Sequence, residues 1–109
     1  MKGHFSCVIQ DESVAVESTD RLAGGLQSVH AKHYPGEDAS ISWRTVPTGW
    51  MFTEGRQSSS SIIGCVVQHQ TTLEERERYM RDVCDLWTSV TGCTDHEVVV
   101  ALTEADPLD

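Results

Sequence analysis

Positive charge is scarce in this chain. Lysine and arginine together number 8 against 17 aspartates and glutamates, giving a net charge of −9 with histidine neutral. Phosphate backbones and anionic membrane surfaces are bound through clustered basic side chains, so neither nucleic acid nor a membrane is an expected partner. Long apolar runs are missing too. No segment approaches the roughly 18 consecutive apolar residues that argue a spanning helix. The residues after Met1-Lys2-Gly3-His4 read as a mixed strand and not as the apolar core of a secretory signal, so a cytoplasmic location is expected. The four cysteines contain no C-x-x-C pair. Cys7 and Cys65 fall inside strand patterns, Cys84 lies on an apolar helix face, and only Cys93, just past a helix end, reads as exposed. Free, mostly buried thiols are the expectation, with Cys7 and Cys65 the one pair placed to be neighbours. No glycine-rich loop follows a strand as phosphate cradling requires. The serine run from Ser58 to Ser61 lacks the context of a nucleophile elbow. His30-x-x-His33 sets two imidazoles near each other on a helix, but no third ligand is evident, so neither a metal nor another cofactor is expected.

What is present is concentrated between Ser61 and Pro107. Ser61 to Gln68 is rich in β-branched residues and too short for a typical helix. Leu73, Met80, Val83, Cys84, Trp87 and Val90 recur at helical spacing and predict one apolar face. Thr72 followed by Glu75 fits a capping box, and Gly92 is placed to end the helix. Glu97 to Leu102, with three consecutive valines, reads as a buried strand. The unit is β-α-β, and two strands joined by a helical crossover are most easily parallel.

The unit occurs twice. A shift of about 58 positions lays Cys7-Val8-Ile9-Gln10 on Cys65-Val66-Val67-Gln68 without gaps. The same shift lays Leu22, Leu26 and Val29 on Met80, Cys84 and Trp87, Ile41 on Val99, and Thr45 on Thr103. In the first copy His4 to Gln10 is a strand, and a helix is predicted from about Ala15 to His33 with Leu22, Leu26, Val29 and His33 on its apolar face. Gly24 and Gly25 lie inside that helix and would permit close packing on the sheet. Tyr34-Pro35-Gly36 stops it. Ala39 to Val46 is a strand with Ile41 and Trp43 on one face and Ser42 and Arg44 on the other. One domain over 1–109 follows: a first repeat at about 3–47, a linker at 48–60 and a second repeat at about 61–107. The linker reads as a loop or short hairpin, yet it carries Trp50, Met51 and Phe52, an apolar tip that asks for cover.

The expected fold is α/β in the α+β sense: duplicated β-α-β units, a four-stranded mixed sheet and two helices on one face. The opposite sheet face is then bare in a monomer, although SIIGCVVQ and EVVVAL are apolar on both faces. An oligomer that buries the second face is expected from pattern alone.

This order and length, together with Val8-Ile9-Gln10-Asp11, ISWRTVPTGWMFTEG from Ile41 to Gly55, and the run from Thr72 to Leu102-Thr103-Glu104-Ala105-Asp106-Pro107, resemble the tautomerase superfamily. That superfamily includes 4-oxalocrotonate tautomerase and macrophage migration inhibitory factor. The similarity is greatest to the branch of cis-3-chloroacrylic acid dehalogenase and malonate semialdehyde decarboxylase. It implies a homo-oligomer, a trimer with its sheets facing inward, and acid–base chemistry on a small carbonyl substrate. The family base is an amino-terminal proline, whose amine loses its proton readily in an apolar pocket. Here Lys2 falls about where that proline would lie, and no proline is near. The arginines that follow strand 3 in dehalogenase-like members are matched by Gln68-His69-Gln70-Thr71, and a tyrosine of the last strand by Ala101. The family histidine near the end of helix 1 matches His30, or His33 with a small gap.

The candidate catalytic residues are therefore Lys2, as base or Schiff-base nucleophile, the amine of Met1, and His30. Arg44, His69, Trp50 and Trp43 are the candidate substrate-binding residues, with His69 and Arg44 able to supply acid, base or anion contacts. Each also has a plain structural reading: a solvated lysine, a hydrogen-bonded helix histidine, an ion-paired arginine. Three functions stand side by side. One is an isomerase- or lyase-type enzyme acting on a small or medium enolisable carbonyl compound with a base other than proline. The second is a catalytically silent tautomerase-like binding or structural subunit. The third is a metal- or ligand-binding domain of unrelated chemistry.

Overall fold

The computed structural model describes residues 2–105. Its centre is a strand pair, β1 (Lys2–Gln10) and β5 (Ser61–Val67), running antiparallel with Cys7 opposite Ile63 and Phe5 opposite Cys65. Each carries a parallel outer neighbour, β2 (Asp38–Val46) on β1 and β6 (Val98–Glu104) on β5, so the sheet order is β2-β1-β5-β6. Three helices connect the strands: α1 (Val14–Glu17), α2 (Thr19–His33) and α3 (Leu73–Thr91). A short hairpin, β3 (Phe52–Thr53) and β4 (Arg56–Gln57), projects from the middle connection.

The period-two alternation of the strands decides which face is covered. Phe5, Cys7 and Ile9 of β1 and Ile63, Cys65 and Val67 of β5 are buried beneath the helices, joined by Ala39 and Val98 from the outer strands. Leu22, Leu26 and His30 of α2, and Tyr79, Val83 and Trp87 of α3, close that layer at spacings of four. The other face carries His4, Ser6 and Val8, then Ser40, Ser42 and Arg44, then Ile62, Gly64 and Val66, then Val99, Ala101 and Thr103, and no helix covers it among the described residues.

Several expectations are corrected. The first helix is interrupted at Ser18: Ser13 caps a one-turn α1, and α2 begins afresh at Thr19. The core position on α2 belongs to His30, while Val29 and His33 are only half-buried. On α3 the buried stripe is Tyr79, Val83 and Trp87; Leu73 is exposed, and Met80, Cys84 and Val90 sit at the margin. The repeat is consequently not free of gaps. Equivalent core residues lie 58 positions apart on the inner strands (Phe5 and Ile63, Cys7 and Cys65) but 57 apart on the helices (Leu22 and Tyr79, Leu26 and Val83). On the outer strands the spacing is 59 (Ala39 and Val98). One residue is lost before the helix and two are regained after it.

Gly25 does allow a close approach, but to α3 and not to the sheet: a Cβ there would lie 2.3 Å from the Leu86 side chain, while Gly24 faces open space. The Thr72–Glu75 capping box and the left-handed Gly92 cap of α3 are as expected. Asp82 is not a plain surface acid. It accepts hydrogen bonds from Lys32 Nζ at 2.9 Å and His33 Nε2 at 2.8 Å, tying α3 to α2. The four cysteines are free, and Cys93 is half-buried instead of exposed. Burial pushes the Cys7 and Cys65 thiols up to about 12, with the neighbouring Cys7 adding to the shift at Cys65, which favours the protonated thiol over the nucleophilic thiolate. In the hairpin, Glu54 and Gly55 both adopt positive φ, the geometry of a two-residue turn. Met51 turns inward, while Trp50 and Phe52 are 75% and 66% exposed.

Candidate functional site

The amino-terminal end of β1 gathers most of the titratable chemistry, and the reason begins with Gly3. A Cβ on Gly3 would lie 2.4 to 2.8 Å from three atoms of the His30 imidazole. Only glycine lets that ring lie flat against the strand, and it is there that His30 becomes wholly buried. Its Nδ1 is 2.8 Å from the Tyr79 hydroxyl of α3, and its Nε2 is 3.1 Å from Glu37 Oε1. The second Glu37 oxygen meets His69 Nε2 at 2.5 Å. The His69 ring stacks on Tyr34 at 4.2 Å between centroids and 6° between planes. A chain of four side chains thus runs from the core to the surface: Tyr79, His30, Glu37, His69.

Local backbone chemistry delivers each member. Tyr34 caps α2 by donating its N–H to the His30 carbonyl at 2.8 Å. Pro35 and the positive-φ Gly36 turn the chain, and Glu37 N–H closes the turn on the Tyr34 carbonyl at 3.1 Å. Glu37 is therefore fixed just before β2. His69 follows β5, and the loop beyond it is pinned where Thr71 donates N–H and Oγ1–H to Glu104 Oε2, both at 2.6 Å.

The protons follow from the partners. Glu37, ionised, accepts from the Nε2–H of both histidines. The Glu37 carboxyl is held below its ordinary value: burial alone would raise it, but the hydrogen bonds from His69 and His30 outweigh that. The unfolded chain then binds this proton more readily than the folded one. The stabilisation is complete above the ordinary carboxylate range and is lost as pH falls through the lowered folded value. Urea unfolding followed across that range should show an acid-side loss of stability that is shallower in Glu37→Gln. Burial raises the Tyr79 phenol far above its ordinary value, so it stays protonated and available as a donor. Tyr34 is raised as well, first by burial and then by the charges of Glu75, Glu37 and Glu104.

A cleft of about 470 Å³ opens beside this chain, lined by Lys2, Gln27, Ser28, Glu37 and Asp38 among others. A cavity of about 360 Å³ near the start of α1 includes Glu12, Ser13, Cys93 and Glu97, but neither an amine nor an imidazole.

Of the residues singled out from sequence, the structure brings three to one end: Lys2 at the cleft, and His30 and His69 joined through Glu37. Met1 lies outside the described residues. The remaining three are elsewhere in the protomer. Arg44 pairs with Val8, six positions along the strand from the Lys2–Asp38 pair, which is roughly 20 Å at strand rise. It also faces the uncovered side of the sheet. Trp43 packs on the core against Trp87, at 6.2 Å between centroids, and is not a lining residue of the cleft. Trp50 stands on the exposed hairpin loop. The two helix histidines serve different partners, His30 with Tyr79 and Glu37, His33 with Asp82. Glu37, Tyr79, Tyr34 and Gly3 were not singled out. Tyr79 had a signal, the spacing Tyr79-Val83-Trp87; Glu37 had none beyond following a turn.

No family sequence model and no curated protein matches the chain. Solved structures do match. Native Ps01740 superposes with a TM-score of 0.84 at 20% identity, over 96% of each chain. A fused 4-OT in its symmetric trimer gives 0.84 at 10% identity, over 97% of this chain and 88% of that one. N1, a member of the cis-3-chloroacrylic acid dehalogenase family, gives 0.78 at 14% identity, over 94% and 74%. The chain has the fold of the tautomerase superfamily.

Proposed function

We propose that this protein is an acid–base enzyme of tautomerase type, acting on a small or medium enolisable carbonyl compound with a base other than proline. One observation carries the reading: a carboxylate, Glu37, is held between two imidazoles at the edge of a cleft that Lys2 also lines. In this scheme neutral His69 takes the proton α to the carbonyl on its free ring nitrogen. Glu37 stabilises the imidazolium that forms, and the Lys2 ammonium meets the oxygen of the developing enolate. His69 then returns the proton to carbon or oxygen, completing an isomerisation with no net change in protons. General acid–base catalysis of this kind contributes about 10²- to 10⁴-fold. Three carboxylates, Glu37, Glu75 and Glu104, act on Tyr34 beside His69, which favours an uncharged or monoanionic substrate over a diacid.

The uncovered sheet face supports a homo-oligomer, and the symmetric trimer of the fused 4-OT that this chain resembles favours three copies. In such an assembly a neighbour would cover Trp50 and Phe52 and could carry its Arg44 to a subunit boundary. A cytoplasmic location belongs to the same reading.

Phenylpyruvate enolisation tests it. Wild type should be active, with His69→Ala and Glu37→Gln lower by about 10²- to 10⁴-fold. Equal activity in all three proteins would move the chemistry away from this chain of residues. An inactive wild type would favour the second reading, a catalytically silent subunit. One observation supports that alternative: both His30 nitrogens and both Glu37 oxygens are already satisfied by internal partners.

A further inference from the structure

We propose that Tyr79 is a positioning residue of this site: its hydroxyl selects the His30 tautomer and thereby keeps Glu37 ionised next to His69. The inference rests on the acid–base reading above for its importance to catalysis, but not for its structural content.

The argument starts from the phenol. The Tyr79 side chain is buried, and among the described residues its hydroxyl has one hydrogen-bond partner, His30 Nδ1 at 2.8 Å. A phenol proton in an apolar core must be donated somewhere, because an unmet buried donor loses its water partner and gains nothing in return. With Nδ1 the acceptor available, Tyr79 donates and Nδ1 carries a lone pair. The remaining proton of a neutral imidazole is then on Nε2, where it points at Glu37 Oε1, 3.1 Å away.

The reverse tautomer fails at both ends. A proton on Nδ1 would face the phenol proton, or strand it. A lone pair on Nε2 would face a carboxylate oxygen, acceptor against acceptor, and Glu37 would relieve the repulsion by taking a proton. A protonated Glu37 cannot stabilise an imidazolium at His69. The hydroxyl of Tyr79 therefore reaches the cleft through two intervening side chains. Among the described residues around it, no other can replace that donor. Phe5 meets His30 with its ring at 89° and has no polar atom, Cys65 acts on Tyr79 from β5 with its thiol pushed up to about 12, and His33 is engaged by Asp82. Glu75 and Glu104 act on Tyr34, and Lys2 lies on the cleft side.

Tyr79→Phe removes the hydroxyl and keeps the ring stacked on Phe5, 6.1 Å between centroids at 13°. The experiment compares the full-length wild type and this variant by long-range ¹H–¹⁵N correlation of the imidazoles and by ¹³C titration of the Glu37 carboxyl. In wild type His30 should show a pyridine-like Nδ1 and a pyrrole-like Nε2. In the variant that signature should be lost or averaged, and Glu37 should titrate higher. Where phenylpyruvate is enolised, the acid limb of kcat should move up in the variant. A shift of one pH unit lowers kcat about tenfold at the acid end, with recovery as pH is raised. A purely structural tyrosine would lower activity at all pH values and leave that limb in place. A wild-type His30 protonated on Nδ1, alone or as imidazolium, overturns the proposal from one spectrum, even if the variant does not fold. So does a folded variant whose His30 signature and Glu37 titration match wild type. Failure of the acid–base reading has a different mark, a wild type that enolises nothing while His30 keeps the expected tautomer.

Discussion

Gly3→Ala is expected to destabilise the protein by about 3–5 kcal/mol, a large share of the stability of a domain this size. Gly3 does not adopt positive φ, so alanine fits its backbone and the whole cost is contact. The new methyl would lie 2.4 Å from His30 Cε1, 2.7 Å from Nδ1 and 2.8 Å from Nε2. The ring has nowhere to move: it is wholly buried, with Phe5, Tyr34 and Tyr79 around it. Overpacking of a full core costs about 1–3 kcal/mol. Displacing the ring also breaks the bonds to Tyr79 and Glu37, and each buried group left without a partner costs about 1–3 kcal/mol more. Urea unfolding should show a lower midpoint at an unchanged slope. A double-mutant cycle separates the contact from other effects. In a His30→Ala background the same Gly3→Ala change should be close to neutral. An equally large loss there would show that the contact with His30 is not the cause.

The role of Gly3 has no signature in the sequence. A glycine at a strand start has many uses, and the one it has here depends on a ring 27 residues away on another element. The elements themselves were legible, because each rests on local chemistry. The β-branched runs of β5 and β6 span seven residues each, and the Thr72–Glu75 box, the Gly92 cap and the Tyr34-Pro35-Gly36 stop act over four or fewer. The break at Ser18 was not legible, since Val14 to His33 contains no proline and the two glycines lie further along.

The buried helix faces lie one step from the apolar pattern for a specific reason. The apolar scale favours Val29 over His30 and Met80 over Tyr79, whereas the core takes the two polar residues because they satisfy each other at 2.8 Å. The same pairing hid the site. Lys2, His30 and His69 could be picked individually as residue types able to carry protons. Glu37, the residue that joins two of them, carries no pattern of its own. Arg44, Trp43 and Trp50 were grouped with them because sequence gives no distance along a strand. The register places Arg44 six positions from the Lys2 end and turns Trp43 to the covered face.

The second large effect is expected on the bare side of the sheet. Gly64→Arg should convert the proposed oligomer to a species of 12.1 kDa, one chain, in sedimentation. Gly64 lies on β5 opposite Ser6 and beside Ala101, in the middle of the uncovered face. Two positions back along the paired strands, Ile62 and Val99 face each other in register and are 43% and 54% exposed. Among the polar groups nearby, His4 is hydrogen-bonded to the hydroxyls of Ser40 at 2.7 Å and Ser42 at 3.2 Å, so these three side chains can meet another sheet without being stranded. A guanidinium at Gly64 changes that. Brought against a like face it has no counter-charge, and around a symmetry axis it meets copies of itself; a buried unpaired charge costs several kcal/mol. The protomer should be indifferent, because a Cβ at Gly64 would find only Ser6 O at 3.8 Å and Ser6 Cβ at 4.0 Å, ordinary contacts. A variant that keeps its helical circular dichroism while its mass falls would locate the interface on this face. A variant that still assembles at the wild-type mass would place the contact elsewhere, with the exposed hairpin of Trp50 and Phe52 the next surface to change.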